Sequence, residues 1–306
     1  MVDKDKTPLP APSAADRAAT LAGVLLPFFG LVVAVYGLWG WGFSWLELVL
    51  LVVMYTATGL GVTVGFHRLF THRSFETVRP VGFVLAVLGS MSVQGSLLQW
   101  VATHRRHHQH SDQEEDPHSP HRYGGGFWGV LAGWWHAHIG WMFLSNQGDL
   151  RRYVRDLQRD KLIRNVSRLF PLWIILGLAI PTFFGGLVTG TWTGAGLGFL
   201  WGGLVRIFVG HHLTWSINSI CHLWGRQAFK CNDESRNNLL CGVLALGEGW
   251  HNNHHAFPFS ARHGLRWWEV DVSYLVIRLL SVLGLAWRLQ LPSPQAIGCK
   301  RIQRER

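Results

Sequence analysis

Histidines recur in this chain at spacings that bring imidazole rings side by side. The segment GEGWHNNHHAFP, residues 247–258, carries His251, His254 and His255. Positions i, i+3 and i+4 lie on one face of a helix that has about 3.6 residues per turn. Neutral imidazole is a common ligand of iron and zinc. A single run of this kind is equally explained as a polar helix face, so this segment does not by itself establish a metal site.

The same spacing occurs a second time, and a shorter pair precedes it. HRRHHQH places His104, His107 and His108 at i, i+3 and i+4, and HRLFTH places His67 and His72 five residues apart. Three tight clusters hold more histidines than one ion needs. A chance run explains one cluster far better than three. The pattern therefore predicts a site for two metal ions built almost wholly from histidine.

Other histidines lie outside this spacing. The i+6 offset directs His110 away from the ligand face, and we expect most of the group to be solvated, to cap helices or to pack. Its members are His110, His118, His121, His136, His138, His211, His212 and His263.

Composition indicates a membrane protein. Of the 306 residues, 48% are hydrophobic and only 15% are charged, whereas soluble domains have about 25% charged residues. The net charge of +10 fits cytoplasmic loops and anionic lipid headgroups. Nucleic acid is not an expected partner, because no polar domain interleaves basic and aromatic residues. The cysteines lack CxxC spacing, which argues against a zinc ribbon, and we expect free thiols in a cytoplasmic cap. They are Cys221, Cys231, Cys241 and Cys299.

Four apolar runs are long enough to cross a bilayer, which takes about 20 residues of helix. We predict spans at residues 21–41, 45–66, 169–188 and 195–215. Arg and Lys concentrate between the second and third spans, which makes this loop cytoplasmic by the positive-inside rule. The predicted fold is an all-α integral membrane protein. Four transmembrane helices form two hairpins, both termini are cytoplasmic, and a helical cytosolic cap holds the di-metal site.

The remaining segments complete one domain. Residues 1–17 are polar and contain three prolines, so we expect a disordered leader. Residues 18–306 then form a single domain, whose cap consists of residues 67–168 and 216–306.

Several apolar features are not predicted to be spans. Residues 81–100 would, as a span, put the first two histidine clusters on opposite faces, so we interpret them as a buried or interfacial helix. Residues 124–144 are rich in Trp and Gly and should lie along the membrane surface, and residues 272–289 are an amphipathic candidate. Arg206 falls inside the fourth span, and we expect it to face protein or a polar cavity in a structural role.

Four motifs resemble the histidine boxes of membrane fatty-acyl desaturases of the Δ9, stearoyl-CoA desaturase-like group, in their bacterial form. They are LGVTVGFHRLFTHRSF, HRRHHQHSD, NSICHLWG and GEGWHNNHHAFP, and the match covers about residues 58–289. The resemblance implies two irons held by nine histidines, namely the eight of the three clusters and His222. It also implies a water-mediated contact from Asn218 and a narrow, bent tunnel that takes the acyl chain past the irons.

The implied activity is the O2-dependent introduction of a cis double bond, at Δ9, into a saturated long-chain acyl group. Activated oxygen on a redox metal can break an unactivated C–H bond, whereas no side-chain base can deprotonate an alkane. We expect carboxylates to orient the imidazoles by contacting them on the side away from the metal. Glu248 is the first candidate, followed by Asp112, Glu114, Glu115 and Asp116. Thr56 and Leu60 on the second span are candidates for the tunnel lining.

Two sequence features differ from those of the animal enzymes, and they concern the head group of the substrate and the source of electrons. Animal acyl-CoA enzymes carry an Arg-Asp pair before the second box, where this chain has Ala102 and Thr103. CoA, a lipid and a carrier protein therefore remain open as head groups. No HPGG haem motif is present, so we expect a separate ferredoxin- or cytochrome b5-type donor on the cytoplasmic face of a bacterial plasma membrane.

Two other functions are consistent with the same clusters. A histidine-rich di-iron hydroxylase would insert oxygen instead of forming a double bond. A membrane zinc hydrolase or transporter would need neither O2 nor a reductant, and histidine-rich sites also accept zinc in purified material.

Overall fold

The computed structural model describes residues 13–37, 42–144 and 150–303. Within these ranges four helical segments are long and apolar enough to cross a membrane. They are Ala14–Tyr36, Trp45–Thr71, Phe170–Thr189 and Trp192–Leu223. The predicted all-α membrane fold with four spans is confirmed. The second and fourth spans both end at the histidine clusters, so these clusters lie at one end of the bundle.

Helices make up most of the described residues. In chain order they are α1 (Ala14–Val32), α2 (Trp45–Leu60), α3 (Arg79–Ser90), α4 (Leu97–His110), α5 (Phe127–His138), α6 (Lys161–Arg168), α7 (Phe170–Thr189), α8 (Trp192–Gly198), α9 (Arg206–Leu223), α10 (Leu239–Leu244), α11 (His251–Ala256), α12 (Val272–Val282) and α13 (Pro294–Lys300). Turns of π-helix extend the spans at Val33–Gly37, Gly61–Thr71 and Phe199–Val205, and 3-10 turns occur at Gly140–Phe143, Leu150–Val154 and Leu157–Arg159. The strands β1 (Glu76–Thr77) and β2 (Ala286–Trp287) pair antiparallel, with Glu76 opposite Trp287.

The first span begins earlier than predicted. Ser13 caps α1, since its hydroxyl accepts a hydrogen bond from the backbone N–H of Asp16 and its own N–H donates to the Asp16 carboxylate. The predicted leader at residues 1–17 is therefore too long at its carboxyl end, because Ala14–Val32 is helical. Residues 1–12 and the predicted end of the first span at 38–41 lie outside the described residues.

The second and fourth spans continue past their predicted ends at residues 66 and 215. The second runs on through Gly61–Thr71 and the fourth runs to Leu223. Both extensions carry polar side chains that are buried in protein, such as His67 and His222. A search for apolar runs ends a helix at its first polar residues and therefore misses these turns. The extensions matter because they carry members of the histidine clusters.

The helix predicted at residues 81–100 is two helices, neither long enough to span. Helices α3 and α4 are separated at residues 91–96, where Val93 and Gly95 have positive φ angles of 62° and 99°. Helix α3 packs closely on the π-helical end of the second span. A Cβ atom at Gly61 would lie 2.1 Å from the backbone nitrogen of Gly89. This close approach holds the second span against α3, and the chain leads from α3 to the histidines of α4.

We expect Gly61→Ala to destabilise the fold by about 1–3 kcal/mol, because the backbone of α3 would have to move. Gly82→Ala is the matched control on α3, since the nearest atom to its Cβ would be 3.9 Å away. That control should gain up to about 1 kcal/mol of helix propensity. Thermal unfolding midpoints in detergent compare the two variants, and equal midpoints would contradict the close packing.

Arg206 has the structural role predicted for it. Its guanidinium donates hydrogen bonds to the carbonyl oxygens of Gly202, Met91 and Gly177, at 3.2, 2.8 and 3.0 Å. The Gly177 carbonyl lacks its usual helical donor, because Pro181 has no backbone N–H. Met91 follows the last turn of α3. Arg206 thus satisfies carbonyl groups at helix irregularities, where lipid offers no hydrogen bonds.

Helices α5 and α12 expose apolar side chains, as their compositions indicate. Helix α5 exposes Phe127, Trp128 and Trp135, in the stretch predicted to lie along the membrane. Helix α12 buries Tyr274 and Ile277 while its opposite face is exposed and apolar. Such amphipathic helices suit a membrane–water interface.

Candidate metal centre

The structure brings together the nine histidines that the sequence and the resemblance nominate. In each of two groups, one ring nitrogen from every member lies within 4.8 Å of those of the others. The first group is His67, His72, His104, His108 and His254. The second group is His107, His222, His251 and His255. Two adjacent pockets of imidazole nitrogen, rather than one large cluster, are therefore present.

Helices α4 and α11 each contribute to both groups. On α4, His104 and His108 lie one turn apart and join the first group, whereas His107 points to the second. On α11, His254 joins the first group and His251 the second. Sequence spacing could not assign this division, because neighbouring residues such as His107 and His108 go to different groups.

In the first group the Nε2 atoms face one another at short range. The Nε2–Nε2 distances are 3.1 Å between His67 and His254, 2.8 Å between His254 and His108, and 3.1 Å between His108 and His104. Lone pairs at this separation repel unless a proton or a cation lies between them. Two ligands at right angles on an ion with M–N bonds of about 2.1 Å are about 3.0 Å apart. The observed spacing fits a bound metal ion.

The second group has the same character. The Nε2 atoms of His222 and His251 are 3.0 Å apart, and those of His107 and His255 are 3.4 Å apart. The groups adjoin where the rings of His108 and His255 stack at 4.5 Å. The donor set therefore fits two metal ions close together.

Carboxylates contact four of these imidazoles from the side that faces away from the cluster. The Nδ1–oxygen distances are 2.5 Å for His67–Glu248, 3.0 Å for His107–Asp116, 2.8 Å for His222–Asp112 and 2.6 Å for His255–Asp233. A carboxylate that accepts the Nδ1 proton leaves the Nε2 lone pair free for a metal and fixes the ring orientation. Four independent contacts of this kind are typical of a built metal site.

The expected carboxylates divide into those that reach the cluster and those that do not. Glu248, Asp112 and Asp116 contact cluster histidines as described above. Glu114 and Glu115 are exposed, and Glu115 lies 3.4 Å from His110, which is outside both groups. Sequence analysis did not nominate Asp233. This residue lies in a loop many residues before His255, and no local spacing connects the two.

Burial keeps six of the cluster imidazoles uncharged. Burial first, and then the neighbouring imidazoles and arginines, lower the pKa well below the ordinary histidine value. This holds for His72, His104, His108, His251, His254 and His255. At neutral pH these rings are unprotonated, which is the form that binds a metal. For Asp116, burial alone would raise the pKa, but the nearby His107 and His118 lower it below the usual carboxyl range.

Two more histidines pack directly on the two groups, although their positions in the sequence lie outside the predicted ligand spacing. The ring of His118 lies 4.4 Å from that of His107, and the ring of His263 lies 4.5 Å from that of His254. Both are buried. The other histidines outside the spacing bind protein groups. His211 faces the carbonyls of residues 92 and 93, His138 contacts His212, and His121 contacts the His222 carbonyl.

A fully buried arginine contacts the carboxylate that orients His67. Arg68 contacts Glu248 and lies 3.1 Å from the Asp271 carboxylate. It also donates to the carbonyls of Thr63 and Ala261, each at 3.0 Å. Arg68 thus fixes the position of Glu248, whose carboxylate contacts His67. It also links the second span to the cap segment that contains Ala261 and Asp271.

A cavity of about 720 Å³, measured with its open mouth, leads from the clusters into the spanning helices. One face of the second span lines it, at i, i+3, i+4, i+7 and i+8. These positions are Tyr55, Thr58, Gly59, Val62 and Thr63. The prediction that Thr56 and Leu60 line the tunnel is wrong, since they lie on the adjacent helix face and Leu60 packs against a buried apolar cluster. Helix α9 forms the opposite wall, including Leu213 and Ile217.

A wider vestibule adjoins the cavity beside the first histidine group. Gln94, Trp100, His104, Thr214 and Asn218 line both spaces. The Gln94 amide donates to the Thr214 hydroxyl at 2.9 Å, and the Trp100 indole N–H lies 3.4 Å from the Gln94 oxygen. This polar network lies where the two spaces adjoin, beside His104. Asn218, the predicted water-mediated contact, lines both spaces one turn before His222.

Comparison with known proteins finds similarity over most of the chain. A family model described as fatty acid desaturase matches residues 43–272. The hex-5-enoyl-[acyl-carrier protein] acetylenase of Moorena producens is 43% identical over 91% of this chain and 87% of that protein. The sn-1 stearoyl-lipid 9-desaturase of Anabaena variabilis is 40% identical over 81% and 86%. Delta-9 acyl-lipid desaturase 1 of Arabidopsis thaliana is 39% identical over 82% and 77%.

Proposed function

Because this chain belongs to the fatty acid desaturase family, we propose that it is an O2-dependent enzyme that introduces a cis double bond at position 9 of a saturated acyl chain. The observation that carries the proposal is the convergence of nine imidazoles beside a narrow, largely apolar cavity. Relatives named as 9-desaturases support the position of the double bond.

Two irons would occupy the two histidine groups and supply the activated oxygen that removes hydrogen from unactivated methylenes. The first group would hold one iron and the second the other, with Asn218 beside the second through water. Overall, one O2, two electrons and two protons are consumed with each –CH2–CH2– unit, and one –CH=CH– unit and two waters are formed. Zinc in purified material would be a substitute without this chemistry.

The chain's own residues would position the substrate and exclude water. The cavity wall of α2 and α9 would hold the methylenes in register beside the imidazoles, which converts binding energy into position selectivity. The Gln94–Thr214–Trp100 network would bend the acyl chain where the two spaces adjoin. Glu248, Asp116, Asp112 and Asp233 would retain the Nδ1 protons and the ring orientations throughout.

The proposed function also requires an electron donor and a defined orientation of the chain in the membrane. A separate ferredoxin- or cytochrome b5-type protein would deliver electrons to the cap, and the cap and both termini would face the cytoplasm of a bacterial plasma membrane. The cluster of Arg and Lys between the second and third spans supports this orientation.

The fatty-acid profile of a host expressing this chain tests the function. The matched strain expresses His255→Ala, and derivatised acyl chains are analysed by mass spectrometry to locate double bonds. The proposal expects new cis-9 monoenes that vanish in the variant, with a donor co-expressed. Hydroxylated chains would assign the hydroxylase alternative. Triple bonds would assign the activity that the name of the Moorena relative describes.

Tyr55 is expected to set the longest chain that the cavity accepts. It is the lining residue of α2 farthest from His67, and its hydroxyl donates to the Leu244 carbonyl at 2.5 Å, which closes the space between α2 and α10. We expect Tyr55→Ala to shift the products toward longer acyl chains. Tyr55→Phe is the control, since it keeps the ring and should keep the wild-type length profile. Unchanged product lengths in Tyr55→Ala would place the closed end elsewhere.

A further inference from the structure

The vestibule lies between the first and third spans. Helix α1 presents one continuous face to it, at i, i+3, i+4, i+7 and i+8. These positions are Asp16, Ala19, Thr20, Gly23 and Val24. Helix α7 contributes Phe170 and Ile174 from its first turns. The space measures about 2000 Å³ with its open mouth, so it is much larger than the cavity beyond the histidines.

The vestibule exists because the first half of α1 does not pack against the bundle. From Ala14 to Leu26 no residue of this helix is buried, and the first buried positions are Pro27 and Gly30. At Gly30 the packing is tight, since an added Cβ atom would lie 2.6 Å from the Leu204 Cβ. At Gly23 an added Cβ would meet nothing within 4 Å. Helix α1 therefore separates from the bundle toward its amino-terminal end.

This separation reaches membrane depth. Val24 is eight residues beyond Asp16, which corresponds to about 12 Å along a helix axis. The apolar part of a bilayer is about 30 Å thick. A gap of this length between two spanning helices extends from the level of the headgroups into the hydrocarbon. In a bilayer that α1 crosses, such a vestibule would open sideways toward the lipid.

The charge of the vestibule does not suit a polyphosphate head group. Among its lining residues within the described ranges, Asp16 is the one Asp, Glu, Lys or Arg. CoA carries several phosphates, which proteins bind with Arg or Lys. Ala102 and Thr103, just before the second histidine box, are uncharged and buried. Apart from Asp16, the polar groups that face the vestibule, such as Gln99 and Thr20, are neutral, and they suit esters and hydroxyl groups.

From this geometry we propose that the gap between α1 and α7 is a lateral portal, through which an acyl chain enters the site while esterified to a membrane lipid. The inference rests on the proposed function and adds the head-group class and the route of entry. The shared lining carries the argument, because Gln94, Trp100 and His104 belong both to the vestibule and to the adjoining cavity beside the imidazoles. A chain entering at Gly23 would pass these residues and continue toward Tyr55.

Gly23→Trp tests the portal, because Gly23 lines the vestibule and an added Cβ atom there meets nothing within 4 Å. Leu21→Trp is the matched control, since Leu21 is on the same helix, is 46% exposed and does not line the vestibule. Both variants and the wild type are reconstituted with iron, NADPH, ferredoxin and its reductase in vesicles of distearoyl phosphatidylcholine. Stearoyl-CoA is assayed in parallel as the soluble substrate.

The proposal expects wild-type turnover of the vesicle lipid, a loss of at least about tenfold in Gly23→Trp, and near wild-type turnover in Leu21→Trp. A second readout is independent of turnover, namely labelling of the peptides that carry Gln94 and Thr214 by a phosphatidylcholine with a diazirine on its acyl chain. Gly23→Trp should reduce that labelling and Leu21→Trp should not.

Two results would overturn the inference while leaving the function intact. One is desaturation of stearoyl-CoA with no reaction of the vesicle lipid, and the other is full lipid turnover and labelling in Gly23→Trp. Absence of double bonds in both substrates with the wild type, fully loaded with iron, would instead contradict the proposed function itself.

Discussion

His107→Ala is expected to lower double-bond formation by about 100-fold or more, since loss of even an orienting partner can cost 10–100-fold. It should also leave the chain with about one metal ion in place of two. His107 is one of four histidines in the second group, and its Nδ1 is held by Asp116 at 3.0 Å. Removing the ring deletes a ligand and leaves the buried Asp116 carboxylate with two backbone N–H donors but without its imidazole partner. Mass spectrometry of bound metal and of fatty acids from the same preparation measures both effects.

His110→Ala is the matched control for this experiment. His110 lies on the same helix α4 but belongs to neither histidine group. Its metal content and products should remain those of the wild type. If His110→Ala lost as much metal as His107→Ala, the assignment of ligands by the two groups would be wrong.

Arg68→Met is expected to destabilise the protein by about 3–5 kcal/mol, the range found when one partner of a buried ion pair is removed. Arg68 is completely buried and contacts two carboxylates, Glu248 and Asp271. Without the guanidinium both carboxylates stay inside the protein with less compensation. For Glu248, burial would raise the pKa, but the charge of Arg68 and the hydrogen bond with His67 hold it below the usual value.

Arg73→Met provides the comparison for Arg68→Met. Arg73 also pairs with an aspartate, Asp156, at 2.5 Å, but its side chain is 62% exposed. Exposed ion pairs contribute at most about 1 kcal/mol, so this variant should unfold near the wild-type midpoint. Unfolding of metal-free protein in detergent separates this effect from metal binding. A similar small loss in both variants would show that the network behind His67 contributes little.

The histidine clusters were predictable from sequence because helix geometry is local. The spacing of His104, His107 and His108 fixes their relative directions once the segment is helical. The same holds for the α11 histidines. Hydropathy gave the four spans for a similar reason, because the lipid imposes a long apolar run on each helix. Both signals depend on residues that are close in the chain.

What sequence reasoning missed depends on contacts between distant segments. Asp233 reaches His255 from a loop, and Arg68 meets Asp271 across most of the chain. The tunnel face of α2 was wrongly assigned to Thr56 and Leu60, because an apolar span carries little information on which side faces a cavity. The helical ends beyond residues 66 and 215 were missed because their polar residues are buried by the cap.

The measurement that tests the central claim most directly is activity against iron content. Metal-free protein, with its donor and an acyl substrate, would be loaded with iron in steps, and double bonds formed per chain would be counted. The proposed site predicts that activity rises to a plateau at two irons per chain and that zinc gives none. A plateau at one iron, or equal activity with zinc, would contradict a two-iron centre built from the two histidine groups.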